Sequence, residues 1–301
     1  MDDLLDIADL SRDDVERIYE ETDHIREHRS DASSALEQKT LLMVFAKPST
    51  RTRISFETGM TELGGHAINF LTETSQLARG ESLEDTARVV SRYVDGVMAR
   101  LYDHEELLQL AEHADIPVIN GLTDRLHPCQ ALSDLYTLRE NGVTLEDAEI
   151  VFVGDGNNVA QSLMQACAVM GADFTWSGPQ GYEPDRDIIE HARGIGADTG
   201  AAITVMHDPH QAVRGSDVLY TDVAVSMHHE NTEERLETFR HYQVDEALVA
   251  AAGDPYVMHP LPAHRGDEIT AAVMDSDNAI VYDQAENRLH VQKALLVDLL
   301  T

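Results

Sequence analysis

The chain has 301 residues, 43% of them hydrophobic, and carries 55 acidic against 22 basic side chains, a formal net charge of −33. That length suffices for two domains of ordinary size. The acidic balance argues against a nucleic-acid partner, which needs a basic surface. Residues 1–9 include four aspartates instead of an apolar leader, and no apolar run approaches the roughly 20 residues of a membrane span. We therefore expect a cytoplasmic protein without a membrane partner.

The few positive charges are almost all arginine, since only Lys39, Lys47 and Lys293 are lysines. Self-repulsion at this net charge opposes compaction in dilute buffer. Molar salt shortens the Debye length to about 3 Å and screens that repulsion. The composition therefore predicts a halophile's protein, with an ordinary acidic enzyme as the alternative. Cys129 and Cys167 are too few for a disulfide framework or a four-ligand zinc site, and we expect neither a metal nor a cofactor.

Apolar runs and polar-faced helices alternate along the whole chain. A helix is predicted at 11–28, with Ser11 as its cap. Strands follow at 40–46, 66–71, 96–101 and 116–119, and they are separated by helices at 52–63, 83–93, 104–113 and 128–140. After a turn at Asn141-Gly142, further strands are predicted at 149–154, 173–176, 202–206, 217–221, 256–259 and 279–283. An amphipathic helix is predicted at 285–300.

Strand–helix alternation at this spacing is typical of parallel sheets that are covered on both faces. The prediction is an α/β protein of two doubly wound parallel-sheet domains. The first would span 1–145 and be completed by the C-terminal helix 285–301, and the second would span 146–284. In such folds ligands bind at the carboxyl ends of the strands, so we expect the active site in the cleft between the domains.

The segment Lys47 to Arg53 is the most informative stretch of the sequence. It follows the apolar run 41–46 and opens the helix predicted at 52–63, and it reads Lys-Pro-Ser-Thr-Arg-Thr-Arg. Free N–H groups at a helix start bind anions, and Arg51 can add a bidentate fork. Within so acidic a chain, this predicts a phosphate or carboxylate ligand. The alternative is a helix start with a surface arginine pair.

Four more polar segments fall at predicted strand ends: Arg100, His127 to Gln130, Gly154 to Asn158, and His259 to Gly266. Each has a structural alternative. His127 could bond to backbone, Arg100 could pair with an acid, and Asp155 and Asn157 could be turn residues. Taken together, their shared position at strand ends indicates a ligand site.

These motifs resemble, in order and spacing, the carbamoyl-phosphate signature of the aspartate and ornithine carbamoyltransferases. The resemblance covers nearly the whole chain. The segments that match are Ser49-Thr50-Arg51-Thr52, Arg100, His127-Pro128-x-Gln130 and His259-x-Leu261-Pro262. The ornithine branch fits better, through Ser75-Gln76-Leu77-x-Arg79-Gly80-Glu81, Gly154 to Asn158, Asp222-x-x-x-Ser226-Met227 and Ala285 to Arg288.

The residues themselves suit a phosphate leaving group, because Ser49, Thr50, Thr52, Arg51 and Arg100 offer the donors it needs. His127 and Gln130, one helical turn apart, could share the carbonyl oxygen with Arg51 and Thr52 and so stabilise a tetrahedral oxyanion. From the resemblance we take the catalytic residues as Arg51, Arg100, His127, Gln130 and Leu261. The carbamoyl-phosphate ligands would be Ser49, Thr50, Arg51, Thr52, Gln76, Arg100, His127, Gln130, Pro260, Leu261 and Arg288.

The same resemblance assigns the acceptor, L-ornithine, to the second domain. Asn158 and the backbone of Ser226 and Met227 would fix its carboxylate, and Asp222 would bind its α-ammonium group. Gln76 would reach the site of a neighbouring subunit, which implies at least a homotrimer. The resemblance further implies a cis bond between Leu261 and Pro262.

Two departures concern the acceptor end of the site. Ornithine enzymes usually have cysteine where this chain has Pro260, and glycine where it has His228. Aspartate or another amine, such as putrescine or a modified ornithine, therefore stays open as the acceptor. A dinucleotide oxidoreductase is suggested by Gly154-x-Gly156, but Val159 stands in the place of the third glycine. A ligand-binding protein without catalysis is the last alternative.

Overall fold

A computed structural model of the chain describes residues 1–225 and 232–301. The chain divides into two compact units, the first made of Met1–Ser133 and Asn287–Thr301 and the second of Asp134–Glu286. The division falls within two helices, α6 (Pro128–Glu140) and α13 (Val281–Leu300). Each unit has its own parallel sheet, which confirms the predicted α/β fold of two parallel-sheet domains.

The first unit is built on a four-stranded parallel sheet in the order β2-β1-β3-β4. Its strands are β1 (Thr40–Phe45), β2 (His66–Leu71), β3 (Gly96–Arg100) and β4 (Val118–Leu122). The inner strands β1 and β3 are largely buried, whereas the edge strand β2 is half exposed. The prediction placed β4 two residues early, at 116–119. Pro117 has no N–H to donate, and ladder pairing with β3 begins at Val118.

The second unit is built on a five-stranded parallel sheet in the order β7-β6-β5-β8-β9. Its strands are β5 (Glu149–Val153), β6 (Asp173–Ser177), β7 (Ile203–Met206), β8 (Val218–Tyr220) and β9 (Tyr256–Met258). The strand predicted at 279–283 is wrong. Ala279 makes a single bridge to Val257, and α13 starts two residues later, with Gln284 N–H already bonded to Ile280 O.

The helices run between the strands and cover the sheets. In the first part of the chain they are α1 (Arg12–Glu27), α2 (Arg29–Ala32), α3 (Thr50–Glu62), α4 (Leu83–Val90), α5 (His104–His113) and α6. The helices after α6 are α7 (Asn158–Met170), α8 (Arg186–Thr199), α9 (Pro209–Ala212), α10 (Thr232–Phe239), α11 (Glu246–Ala252), α12 (Ala271–Met274) and α13. Among the described residues, no helix is long and apolar enough to cross a membrane.

Strand order determines where each sheet can bind a ligand. In the first unit, β1 lies between β2 and β3, so the connections from β1 and β3 leave in different directions and open a crevice at their carboxyl ends. In the second unit the same reversal occurs between β5 and β8. The motif segments after β1, β3, β5 and β8 all begin at these two edges.

Candidate active site

The first unit carries a polar cluster at the start of α3, directly after β1. Ser49 caps the helix, since its hydroxyl accepts a hydrogen bond from the N–H of Thr52. That bond uses the Ser49 oxygen as an acceptor, so its O–H remains a donor. Thr52 is fully buried, and its hydroxyl accepts a hydrogen bond of 2.9 Å from Nη2 of Arg288. Thr50 and Arg51 are exposed at the same helix start.

Three arginines converge beside this helix start. Arg100 ends β3 opposite Phe45, and its carbonyl accepts a 2.9 Å bond from Ala46, where the chain leaves β1. Burial, together with the charges of Arg288 and Arg51, lowers the pKa of Arg100 to about 9. Three cations close enough to oppose one another's charge, in a chain of net charge −33, form a site for a multiply charged anion.

His127 and Gln130 come from the first turn of α6, after β4. Both are buried, and Gln130 N–H donates to the carbonyl of His127 at 3.1 Å. The pKa of His127 lies well below its ordinary value because of burial and the nearby charges of Arg288, Arg100 and Lys47. The imidazole is therefore neutral at neutral pH, and it can donate a hydrogen bond without adding a fourth positive charge.

Cys129 lies between these two residues but is not poised as a nucleophile. It is fully buried, its Sγ donates to the carbonyl of Asn120 at 3.4 Å, and burial raises the pKa of its thiol to about 12. A thiol that stays protonated is unreactive. The chemistry at this helix start therefore rests on hydrogen-bond donors and charge.

Gln76 lies between Arg51 and Arg100 in the sequence, just before the short turn Leu77–Arg79. Its side chain is exposed. Within 1–225 and 232–301 it makes no hydrogen bond to Arg51, Arg100 or His127. The structure of one chain thus brings together the motifs after β1, β3 and β4, together with Arg288, but not Gln76.

The second unit carries another polar cluster, at the ends of β5 and β8. Asn157 caps α7 by accepting from the N–H groups of Val159 and Ala160, and its Nδ2 donates to Asp222 Oδ2 at 2.8 Å. Burial raises the pKa of Asp222, so this carboxylate would be stabilised by a cationic ligand. Asn158 follows Asn157 as the first residue of α7.

Asp155 and Arg235 belong to the same cluster. Asp155 was expected there only as part of the segment Gly154 to Asn158, and Arg235 was not predicted. Arg235 forms an ion pair with Asp155, and both side chains are mostly buried. Asp155 also had the alternative of a turn residue, and nothing in the sequence singled out Arg235. Only the packing of α10 against these loops reveals the pair. Ser226, Met227 and His228 lie outside the described residues.

The segment after β9 is held by His259. Leu261 N–H donates to Nδ1 of His259 at 2.9 Å, so the ring proton lies on Nε2, which contacts Glu268 Oε1 at 3.0 Å. Leu261 has a φ of 57° and is followed by the cis bond to Pro262 that the resemblance implied. A non-glycine residue in the left-handed region costs free energy and persists only where its surroundings enforce it. Here the buried His259–Glu268 pair does so.

Two family models match the chain. The model of the carbamoyl-P binding domain of aspartate/ornithine carbamoyltransferase matches residues 2–140. The model of the Asp/Orn binding domain of the same enzymes matches residues 146–299. The chain belongs to the aspartate/ornithine carbamoyltransferase family. The cluster of Ser49, Arg51, Arg100 and His127 thus lies in the part matched by the carbamoyl-P model, and the cluster around Asp222 lies in the part matched by the Asp/Orn model.

Among its relatives in this family are enzymes of the ornithine branch. The catabolic ornithine carbamoyltransferase of Halobacterium salinarum is 49% identical over 298 residues, which is 98% of each chain. The anabolic enzyme of Pyrococcus furiosus is 54% identical over 263 residues, 87% of this chain and 84% of that one. The solved structure of the Pyrococcus furiosus ornithine carbamoyltransferase superposes with a TM-score of 0.96 at 49% identity, covering 99% of this chain and 96% of the other.

Proposed function

We propose that this protein transfers the carbamoyl group of carbamoyl phosphate to the side-chain amine of L-ornithine, giving L-citrulline and phosphate. The observation that carries the proposal is the group of three arginines around a buried, neutral histidine. The relatives named above as ornithine carbamoyltransferases support the choice of acceptor. We assign the carbamoyl-phosphate half to residues 1–145 with the helix 285–301, and the ornithine half to residues 146–284.

The phosphate group would be bound by the start of α3 and the arginines around it. Ser49, Thr50 and Thr52 supply hydroxyl or N–H donors, and Arg51, Arg100 and Arg288 supply charge. Opposed cations are costly in the free protein, and a bound dianion removes that cost. Binding energy of this kind orients the substrate before reaction.

The carbonyl oxygen of the carbamoyl group would face Arg51, Thr52, His127 and Gln130. When the ornithine amine attacks the carbonyl carbon, that oxygen becomes an oxyanion. Neutral donors and a guanidinium fixed in advance stabilise it. The tetrahedral intermediate then collapses: the attacking nitrogen gives a proton to the departing phosphate, the bond from carbon to the phosphate oxygen breaks, and hydrogen phosphate leaves. The carbonyls of Pro260 and Leu261 would accept hydrogen bonds from the carbamoyl NH₂ group.

The acceptor would be bound through its α-amino and α-carboxylate groups. Asp222 would pair with the α-ammonium, which offsets the cost of burying that carboxylate. Asn158 and the backbone of Ser226 and Met227 would hold the carboxylate. The attacking side-chain amine must be neutral, so it loses its proton before attack, and removal from water favours the neutral form. The proposed reaction uses no cofactor and no metal.

We further propose that the enzyme acts as a homotrimer, or a multiple of it, in a cytoplasm at molar salt that screens its charge. Apolar side chains exposed on the outer part of the first unit suit a contact between copies. Ile54 on α3 is 58% exposed, and Ile68 and Leu71 on the edge strand β2 are 40% and 38% exposed. Gln76 follows the end of β2 by five residues, so such a contact would bring it close to a neighbouring copy.

The test compares two arginines of one helix. Arg51→Ala should lower citrulline formation from ornithine and carbamoyl phosphate by at least about 10²–10³, the effect of losing one oxyanion donor. Arg53→Ala is the matched control, because Arg53 is half exposed and pairs with Glu57 on the helix surface; it should stay near wild-type activity. An Arg51→Ala enzyme with a tenth of wild-type activity or more would show that Arg51 takes no part in the reaction.

A further inference from the structure

Arg235 on α10 makes an unusual number of contacts for one surface-helix side chain. Its Nη2 donates to Asp155 and its Nε donates to the carbonyl of Ala224. The guanidinium lies 4.9 Å from the ring centre of Tyr182 and 5.0 Å from that of Phe239. The two rings themselves meet edge to face at 4.9 Å. Arg235 is thus fixed by an ion pair, a carbonyl and two aromatic rings at once.

The partners of Arg235 are the two loops that carry the proposed acceptor ligands. Asp155 lies in the loop after β5, two residues before Asn157, and Ala224 lies in the loop after β8, two residues after Asp222. The 2.8 Å bond from Asn157 to Asp222 joins the same two loops. Arg235 therefore links the two loops a second time, through its hydrogen bonds to Asp155 and Ala224.

Residues 182–184 form a third segment of this cluster, and they contact the loop after β5. The N–H of Gly156 donates to the carbonyl of Tyr182 at 2.8 Å, and a Cβ on Gly156 would lie 2.1 Å from the nitrogen of Pro184. The loop after β5 is thus pressed against residues 182–184, whose tyrosine ring stacks on Arg235. A planar guanidinium with five donors can serve all of these contacts, and a lysine cannot.

The ion pair between Arg235 and Asp155 also has an electrostatic role. Burial and the charge of Asp222 raise the pKa of Asp155, and the ion pair with Arg235 opposes this rise. Without a cation there, two neighbouring carboxylates in a partly buried site would push the loops apart. The α-ammonium of a bound amino acid would face Asp222, which leaves Arg235 to neutralise Asp155.

We propose that Arg235 is a positioning residue that holds the two acceptor-binding loops together and thereby sets the affinity for ornithine, without contacting either substrate. This rests on the proposed function, since it takes Asn158 and Asp222 as ornithine ligands. In the described part of the chain, the contacts of Arg235 are with Asp155, Ala224, Tyr182 and Phe239, which all lie in the second unit. Removal of Arg235 therefore affects one substrate and not the other.

The experiment measures the KM for each substrate in Arg235→Gln, which shortens the side chain and removes its charge. We expect the KM for ornithine to rise about tenfold or more, the scale expected when a buried ion pair loses one partner. The KM for carbamoyl phosphate should stay within about twofold of wild type. Arg235→Lys keeps the charge but loses the fork, and its KM for ornithine should lie between the two.

Two controls separate positioning from general stability. Arg240→Gln removes an arginine just after α10 whose pair with Glu237 is exposed, and it should change neither KM. Leu248→Ala opens a cavity in the apolar core of the same unit; it should lower the melting temperature and leave both KM values unchanged. If Arg235→Gln does not fold, Arg235→Lys and Tyr182→Leu decide by the same comparison.

The inference fails if the KM for ornithine is unchanged in the folded Arg235 variants, or if both KM values rise together as stability falls. The wild-type enzyme is assayed first. If it forms no citrulline from ornithine, the proposed function itself fails. If it does and the Arg235 variants keep its KM for ornithine, only the role of Arg235 is refuted.

Discussion

Replacing Arg100 by methionine should make the free protein more stable and at the same time abolish tight binding of carbamoyl phosphate. Methionine keeps much of the volume of the arginine stem and removes its charge. Among the described residues, the Nε of Arg100 is buried without a hydrogen-bond partner. The Arg100 side chain thus lowers the stability of the free protein and serves to bind a ligand, a trade-off that is common in functional sites.

The size of the effect follows from the pKa of Arg100. An ordinary guanidinium has a pKa above about 12, and burial with the charges of Arg288 and Arg51 brings this one to about 9. Each tenfold loss of proton affinity is worth about 1.4 kcal/mol, so the charge costs the free protein on the order of 4 kcal/mol. The cost is fully present at pH 7 and is relieved only as pH rises above 9. Molar salt screens part of it, so we expect Arg100→Met to raise the free energy of unfolding by about 1–3 kcal/mol.

Binding should change in the opposite direction. A charged donor to phosphate is lost, and the affinity for carbamoyl phosphate should fall by about 10²–10³. Urea unfolding followed by circular dichroism in molar potassium chloride measures the first effect, and isothermal titration of carbamoyl phosphate measures the second. The two together test whether the arginines form an anion site.

The control is Arg88→Met. Arg88 lies on α4 of the same unit, is 59% exposed and pairs with Glu84 on the helix surface, so its loss should move neither quantity by more than a few tenths of a kcal/mol. The reasoning would be refuted by an Arg100→Met protein that is less stable than wild type. It would equally be refuted by one that binds carbamoyl phosphate as wild type does.

Three further outcomes follow from the same structure. Because burial and nearby cations lower the pKa of His127, the unfolded chain takes up a proton below pH about 6.5 that the folded chain does not. His127→Gln should therefore reduce the loss of stability on acidification. An unchanged pH profile of urea unfolding would count against this prediction. With a charge of −33, activity and subunit association should fall as potassium chloride is diluted well below molar, and an intact, fully active trimer by light scattering in low salt would rule this out. Pro260→Cys should change the KM for ornithine modestly and leave that for carbamoyl phosphate alone, whereas a gain of about a hundredfold from a nearly inactive parent would show that the acceptor is another amine.

Much of the fold was predictable because the strands of a parallel sheet are short, nearly continuous apolar runs bounded by polar turns. All nine strands of the described structure overlap a predicted one. The tenth prediction, at 279–283, failed because Ala279 to Tyr282 is apolar and rich in strand-forming residues, yet α13 begins within this run, at Val281. A short apolar run cannot be assigned to strand or helix by periodicity alone.

The polar motifs were predictable for a related reason. Ligand-binding residues in α/β sheets follow strand ends, so Ser49, Arg100 and His127 could be marked by their positions along the sequence alone. Their mutual placement could not, because it depends on strand order, and nothing in the sequence states that β3 lies beside β1. Arg235 was missed altogether. It follows no strand, and its role comes from packing beside loops that are distant in sequence.

The most direct test of the proposed activity is a competition in one vessel. The enzyme is given ¹³C-labelled carbamoyl phosphate with equal concentrations of ornithine, aspartate and putrescine in molar potassium chloride, and mass spectrometry measures the ratio of labelled products. That ratio reports the ratio of kcat/KM for the acceptors. We expect citrulline to exceed each other product by at least about tenfold. Carbamoyl-aspartate or carbamoyl-putrescine as the main product would contradict the assignment of ornithine.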